Sequence, residues 1–333
     1  MSFIFKKFNS IENAYRKAFI EKITLCGLDK GDFIVQEKVH GANFSFWFDG
    51  ETIQCGKRTA MLLPEDNFYN FQAIQERYTL AIRELYKDLK SRYSETTLMT
   101  VYGELMGGNR HPAIERLKDA IMVQKGIFYT NQNEFYAFDI RINNETYLSV
   151  EEANSLFEKH GFFYAKTLLK GTLAEALEYP NEFNSKISEW LGFPSIESNI
   201  CEGTIIRPNE PQFFPNGVRV LIKNKNERWS ERKQKRKNSA QVDNTLSAEA
   251  TGLKSILETY ITENRLLNVI SKIGTIDFKD FGKVMGLMNQ DILEDFNKDY
   301  AEAFSQLEKK EQKRLRKSMT QPVRRLILNY LKQ

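Results

Sequence analysis

Three cysteines in 333 residues, Cys26, Cys55 and Cys201, are too few and too scattered for a disulfide framework or a thiolate zinc site. A reducing, cytoplasmic location is therefore expected. No stretch approaches the roughly 18 apolar residues of a membrane span. The opening Met1-Ser2-Phe3-Ile4-Phe5-Lys6-Lys7 lacks the apolar core of a signal peptide, so neither membrane insertion nor export is expected. Histidine is scarce too: His40, His111 and His160 stand in unrelated contexts. No internal repeat is visible, and a net charge of +4 does not by itself mark a nucleic-acid binder.

What is present is more telling. Charge is concentrated rather than large: Lys223 to Lys237 carries eight Lys/Arg against Glu227 and Glu231. A second cluster runs from Lys309-Lys310 through Lys313-Arg314 and Arg316-Lys317 to Arg324-Arg325. Such blocks suit a polyphosphate partner, because each neutralised phosphate releases counterions. A solvated helix face is the competing account of the later cluster.

Period-two alternation and turn residues predict a β-meander over residues 33–58. Its strands are Phe33 to Val39, Asn43 to Phe48 and Thr52 to Lys57, with Asp49-Gly50 as a hairpin turn. A helix is predicted over 67–92, and strands over 98–104, 134–142, 203–207 and 218–223. Ser149, three residues before Glu152, reads as a capping box opening a helix that ends near Gly161. After about residue 240 no strand signal remains. Leu253, Ile256, Leu257, Tyr260 and Ile261, then Val323, Leu326, Ile327, Tyr330 and Leu331, recur at helical spacing. The chain thus reads as an α+β domain over residues 1–240 and a small all-α domain over 245–333, with a linker near Lys237 to Asn244.

Six short motifs follow one another in the first domain. They are Glu37-Lys38-Val39-His40-Gly41-Ala42-Asn43, Gly56-Lys57-Arg58-Thr59, Tyr102-Gly103-Glu104, Phe135-Tyr136-Ala137-Phe138-Asp139, Glu202-Gly203-Thr204-Ile205-Ile206-Arg207 and Leu221-Ile222-Lys223-Asn224-Lys225. This ordered set resembles the covalent nucleotidyltransferases, and the Lys-x-His-Gly-x-Asn form is most similar to the phage RNA ligase 2 family, which includes the kinetoplastid RNA-editing ligases. The segments Asn268 to Gly274 and Asp280 to Gly286 resemble the helical domain of the same family, so the resemblance covers nearly the whole chain.

The resemblance implies a nucleotidyltransferase adenylation domain with ATP-grasp-like antiparallel sheets, acting on ATP with Mg²⁺, for which Mn²⁺ can substitute. It makes Lys38 the nucleophile that forms lysyl-AMP. Glu37 and Val39 would border the adenine, Phe138 would stack on it, and Glu104 would accept a hydrogen bond from the ribose. Asn43 and Arg58 would meet phosphates. Glu202 would support the metal, directly or through its waters. Lys223 and Lys225, two apart on a strand, project from one face and could put two cations on one phosphate. The implied substrate is RNA, preferably ends held at a nick in a duplex, and a monomer is expected.

Taken singly, these residues have blander readings. A strand-end lysine is usually a surface charge, Phe138 could be a core aromatic, Glu104 a surface acid, His40 a satisfied structural histidine rather than the orienter of the nucleophile loop, and Asp139 is read as structural. Arg207 stands where lysine is common in the family, and Ala60 where glycine is usual. Gly50 to Lys57 is rejected as a phosphate-binding P-loop, because its glycines are too far apart and Arg58 replaces the required Ser/Thr. The rivals are a DNA ligase or capping guanylyltransferase, in which Asp and Arg usually replace His40 and Asn43, and a catalytically idle RNA-binding relative.

Overall fold

Strand pairing between Glu12 and Lys225 builds two five-stranded sheets, in a computed structural model that describes residues 3–111, 114–232 and 246–332. The strands are β1 (Glu12–Asn13), β2 (Phe33–Glu37), β3 (Ala42–Phe48), β4 (Ile53–Lys57), β5 (Met99–Gly107), β6 (Asn133–Ile142), β7 (Thr146–Tyr147), β8 (Thr167–Gly171), β9 (Gly203–Pro208) and β10 (Ile222–Lys225). One sheet runs β1-β10-β9-β2-β8, the other β4-β3-β5-β6-β7. All pairs are antiparallel except the short β1/β10 pair. Among the described residues the α+β class of the sequence reading holds.

Helices α1 (Lys17–Leu25), α2 (Phe71–Arg92), α3 (Val150–Lys159), α4 (Leu173–Glu178) and α5 (Ile187–Trp190) surround the sheets. In α2, Phe71, Ile74, Tyr78, Ile82, Leu85 and Leu89 recur at three- and four-residue steps and form one buried stripe. That stripe packs with Phe44, Phe46 and Phe135 of the second sheet and with Ala153, Leu156 and Phe157 of α3. The other sheet buries Phe33, Val35, Ile206 and Ile222 with Ile23 of α1 and Ala176 of α4.

Several boundaries differ from expectation. The meander over 33–58 is split: β2 pairs with β8 and β9, whereas β3 pairs with β4 and β5. Every residue of β2 is buried, as befits a central strand with neighbours from distant sequence. The chain therefore crosses from one sheet to the other over Lys38–Gly41 instead of turning back. The Asp49-Gly50 hairpin does form, with Asp49 Oδ1 accepting from the N–H groups of Glu51 and Thr52. The helix begins at Phe71 rather than 67, because Tyr69 and Asn70 sit in the left-handed region. The strand expected from Val218 starts at Ile222, since Phe213 to Val220 form a small hairpin of their own, through Phe214 N–H to Val218 O and Val220 N–H to Gln212 O. Half of the predicted capping box is present: Ser149 Oγ accepts from Glu152 N–H, but the Glu152 carboxylate accepts from Tyr93 instead.

The chain divides into two compact units, Met1–Arg228 and Trp229–Gln333. The described residues of the second unit are helical: α6 (Ala248–Thr259), α7 (Glu263–Ser271), α8 (Phe281–Gln306), α9 (Lys309–Ser318) and α10 (Thr320–Leu331), with a short 3₁₀ turn at Phe278–Asp280. Val284, Met288, Ile292 and Phe296 of α8, four apart, pack with Leu257, Leu266, Val269, Leu315, Val323 and Ile327. Arg265 is buried in this unit, held by Asp291 and Asp295. The linker expected at Lys237 to Asn244, and Lys233, Lys235, Arg236 and Lys237 of the basic run, lie outside the described residues. Among the described residues no helix is long and apolar enough to cross a membrane.

Candidate active site

The crossing between sheets sets Lys38 at the end of β2, where its backbone N–H donates to Gly203 O at 2.9 Å. That contact aligns it with Glu202, the residue just before β9. Lys38 Nζ lies 2.8 Å from Glu202 Oε2 and 3.3 Å from Val39 O. Lys225, at the end of β10 and opposite Gly203, places its Nζ 2.6 Å from Glu202 Oε1. One buried carboxylate thus bridges two lysines that come from different strands. Burial alone would raise the Glu202 pKa, but the charges of Lys225, Lys38 and His40 outweigh it and bring the carboxyl down to about 2.

The second sheet supplies the facing residues. Glu104 on β5 stands opposite Asn43 on β3. Burial pushes the Glu104 carboxyl up to about 7; Lys38 opposes the rise, while the Glu202 charge adds to it. A side chain at Gly41 would run into the Leu105 carbonyl and stand 3.1 Å from Glu104 Oε2, so only glycine lets the crossing lie against β5. Gly203 carries the same demand, with φ at +138° and its missing Cβ aimed at the Asn224 carbonyl. His40 is buried, its N–H donates to Tyr129 Oη at 2.8 Å, and its Nδ1 is 3.7 Å from Glu202 Oε2.

Phe138 occupies a β-bulge. Tyr102 pairs with Asp139 and Gly103 with Ala137, leaving Phe138 as the extra residue of β6. A bulge re-aims the side chain it carries. The Phe138 carbonyl accepts from Arg207, and Asp139 beside it is buried between Arg207 Nη1 at 3.0 Å and Arg219 Nη1 at 2.5 Å. Arg207, in the position where lysine is common, is thereby fixed in the interior, where burial lowers its pKa to about 10 against the opposing pull of Asp139. Asp139 has the structural part expected of it.

The remaining residues are placed as follows. Asn43 Nδ2 is 3.5 Å from Gly103 O, at the limit of a hydrogen bond. Arg58, just beyond β4, donates from Nη1 to Phe8 O at 2.6 Å. Lys223 lies on β10, half-buried, opposite Ile205, and its carbonyl accepts from Ala14 N–H. Val39 is buried. The Glu37 side chain is buried beside Ser185 Oγ at 2.5 Å and Lys186 N–H at 2.8 Å, and its carbonyl accepts from Tyr136 Oη. Burial raises the Glu37 carboxyl to about 7, against the lowering effect of the Ser185 hydrogen bond.

No sequence signal marked Tyr129, Ser185, Arg219, Asn226 or Phe8. Asn226 Nδ2 donates to Cys201 O at 2.6 Å and its N–H to Glu202 O at 3.2 Å, which steadies the carboxylate from behind. Each of these contacts joins residues far apart in the chain, so no local pattern marks them.

Residues 31–225 match the family model described as RNA ligase, and residues 241–325 match the one described as T4 RNA ligase 2 C-terminal. The segment that carries Phe8 therefore precedes the matched stretch. Mitochondrial RNA-editing ligase 2 of Trypanosoma brucei brucei is 28% identical over 89% of this chain and 84% of its own. RNA-editing ligase 1 of the same organism is 25% identical over 77% of this chain and 67% of its own. Among solved structures, an apo mutant of a Naegleria gruberi RNA ligase has 16% identity and a TM-score of 0.46, covering 67% of this chain and 56% of that one. A second mutant of that ligase, solved with ATP and Mn, has 15% identity and a TM-score of 0.45, covering 68% and 57%. The chain thus spans little more than half the length of those Naegleria chains. With its larger match extending from residue 31 to residue 225, the chain belongs to the RNA ligase family, as an RNA ligase of the nucleotidyltransferase superfamily and of the T4 RNA ligase 2 type.

Proposed function

We propose that the protein uses ATP to join the 3′-hydroxyl and 5′-phosphate ends of RNA, preferably at a nick in a duplex, in three transfers. Lys38 Nζ attacks the α-phosphate of ATP, forming a P–N bond as the bond to pyrophosphate breaks and a proton leaves the amine. The RNA 5′-phosphate then attacks the AMP phosphorus and frees Lys38. The neighbouring 3′-hydroxyl attacks the activated 5′-phosphate, loses its proton and expels AMP. A-form shape and 2′-hydroxyls would let such a substrate be held without reading its sequence. As an expected monomer in a reducing cytoplasm, the protein would need no partner chain for these steps.

The observation that carries this reading is the Lys38–Glu202–Lys225 bridge at the crossing between sheets. An amine attacks only when unprotonated. The Lys38 amine must leave Glu202 Oε2 before it attacks, and Lys225 on Oε1 keeps the carboxylate paired when it does. Lys223 and Lys225 would then stabilise charge developing on the phosphates, with Arg58 and Asn43 at their edge. Glu104 would receive the ribose hydroxyl, Phe138 would stack on the base, and Glu37 with Val39 would border it.

Among the described residues no group of three or more His, Cys, Asp or Glu is arranged to hold a metal. Mg²⁺ needs no such group, since it is usually bound by one or two carboxylates together with substrate phosphates. Glu202 and Glu104, close enough to influence each other's ionisation, fit that need, with Glu202 as the principal ligand. When bound, Mg²⁺ or Mn²⁺ would supply positive charge against the triphosphate and compete with Lys38 for Glu202. Incubating the protein with labelled ATP and Mg²⁺ tests the reading: covalent AMP on Lys38 is expected. A protein that binds nicked RNA yet takes up no AMP would be an idle relative.

A further inference from the structure

Phe3 to Asn13 laces across the first unit and is tied down along its length. Lys6 O accepts from Tyr102 Oη at 3.0 Å and from Arg141 at 3.4 Å, and Lys6 Nζ donates to Asn144 O at 2.9 Å. Glu12 N–H donates to Leu221 O, and β1 then pairs with β10, setting Asn13 opposite Lys223. Between these anchors Phe8 is 4% exposed. Its ring lies 5.0 Å from that of Tyr102, 5.0 Å from that of Phe138 in an edge contact, and 6.4 Å from that of Tyr147. Its carbonyl accepts from Arg58 at 2.6 Å.

The geometry points to Phe8 as a positioning residue for nucleotide binding. Phe138 is the bulged residue of β6, so the ladder does not fix its side chain, and the Phe8 ring supplies the wall that does. Arg58 lies beyond the end of β4, and the Phe8 carbonyl sets the direction of its planar donor fork. One buried residue, anchored with its strap, thereby aims the aromatic through its ring and the guanidinium through its carbonyl. This inference rests on the proposal that both meet ATP.

The test measures lysyl-AMP formation against ATP concentration in the full chain, for wild type, Phe8→Leu, Phe8→Ala, Phe138→Ala and the Phe8→Ala/Phe138→Ala pair. Leucine fills the space and keeps the melting temperature near wild type, yet lacks the ring edge. Both Phe8 variants are expected to raise KM for ATP about three- to tenfold, the span of an aromatic edge contact, with kcat changed by less than about twofold. In the Phe138→Ala background the further rise should shrink to less than about twofold, since coupled residues are not additive. An unchanged KM in both variants, or the same rise in both backgrounds, would overturn the inference and leave the strap as a cover for the core. Amide exchange of residues 57–61 and 222–225 without nucleotide separates this failure from that of the ligase reading. Faster exchange in Phe8→Leu supports the hold of the strap even if no lysyl-AMP forms; unchanged exchange contradicts it.

Discussion

Glu104 and Glu202 are both carboxylates of one site, yet their surroundings push their ionisation in opposite directions. Glu202 falls from 4.5 to about 2, so its contribution to stability is present above pH 4.5 and is lost as the pH falls toward 2. Glu104 rises from 4.5 to about 7, so the folded state holds a proton that the unfolded chain releases. Stability from this group therefore declines as the pH climbs from 4.5 to 7, then levels. Glu104→Gln should be more stable than wild type at pH 8, on the order of 1 kcal/mol, with the gain vanishing near pH 4.5. Denaturant melts at the two pH values check this. Adenylyl transfer by the wild type should rise with pH through about 7 as Glu104 ionises, and the variant should lose that limb. Lys225→Ala should slow transfer by about 3 kcal/mol in barrier, the cost of a lost transition-state contact, read by single-turnover AMP labelling. A melting temperature that drops while the rate holds would make Lys225 a structural partner of Glu202 and nothing more.

At the scale of elements, the bulge in β6 depends on the buried Arg207–Asp139–Arg219 cluster. Removing the one carboxylate would leave two guanidinium groups buried without it, so Asp139→Ala should cost about 3–5 kcal/mol, measured by denaturant unfolding. Near-wild-type stability would show that other groups satisfy the two arginines. The elements also show how far local pattern reaches. The stripes of α2, α6 and α10 were legible because each buries one face that its own spacing defines, while β3, β4 and β6 were legible from strand-forming residues and turn signals, since β3 and β6 are buried along nearly their whole length. The motif residues were legible as a resemblance, and the structure brings Lys38, Glu104, Glu202 and Lys225 together. What escaped was the assignment of β2 and β3 to different sheets, which depends on β8 and β9, more than a hundred residues later. Arg219 escaped for the same reason: its partner Asp139 is 80 residues away. The start of α2 was misplaced by a left-handed turn at Tyr69 and Asn70 that no glycine announces.

For the whole molecule, the nucleotide motifs all fall within the first unit, and the basic cluster of α9 and α10 within the second. On the proposed reading, the second unit, which holds most of the Lys223 to Lys237 basic run, would grip the sugar-phosphate backbone beside a nick. A truncated chain ending near Asn244 should still form lysyl-AMP but seal nicked duplex RNA poorly, because the ends are no longer held in line. Sealing at the full-length rate would give the helical unit a role outside catalysis. Whether Lys38 is the nucleophile is decided by intact-mass measurement after incubation with ATP and Mg²⁺. One added AMP is expected on the wild type, mapped to Lys38, and none on Lys38→Ala. An AMP adduct on Lys38→Ala, or one mapped to another residue of the wild type, would contradict it.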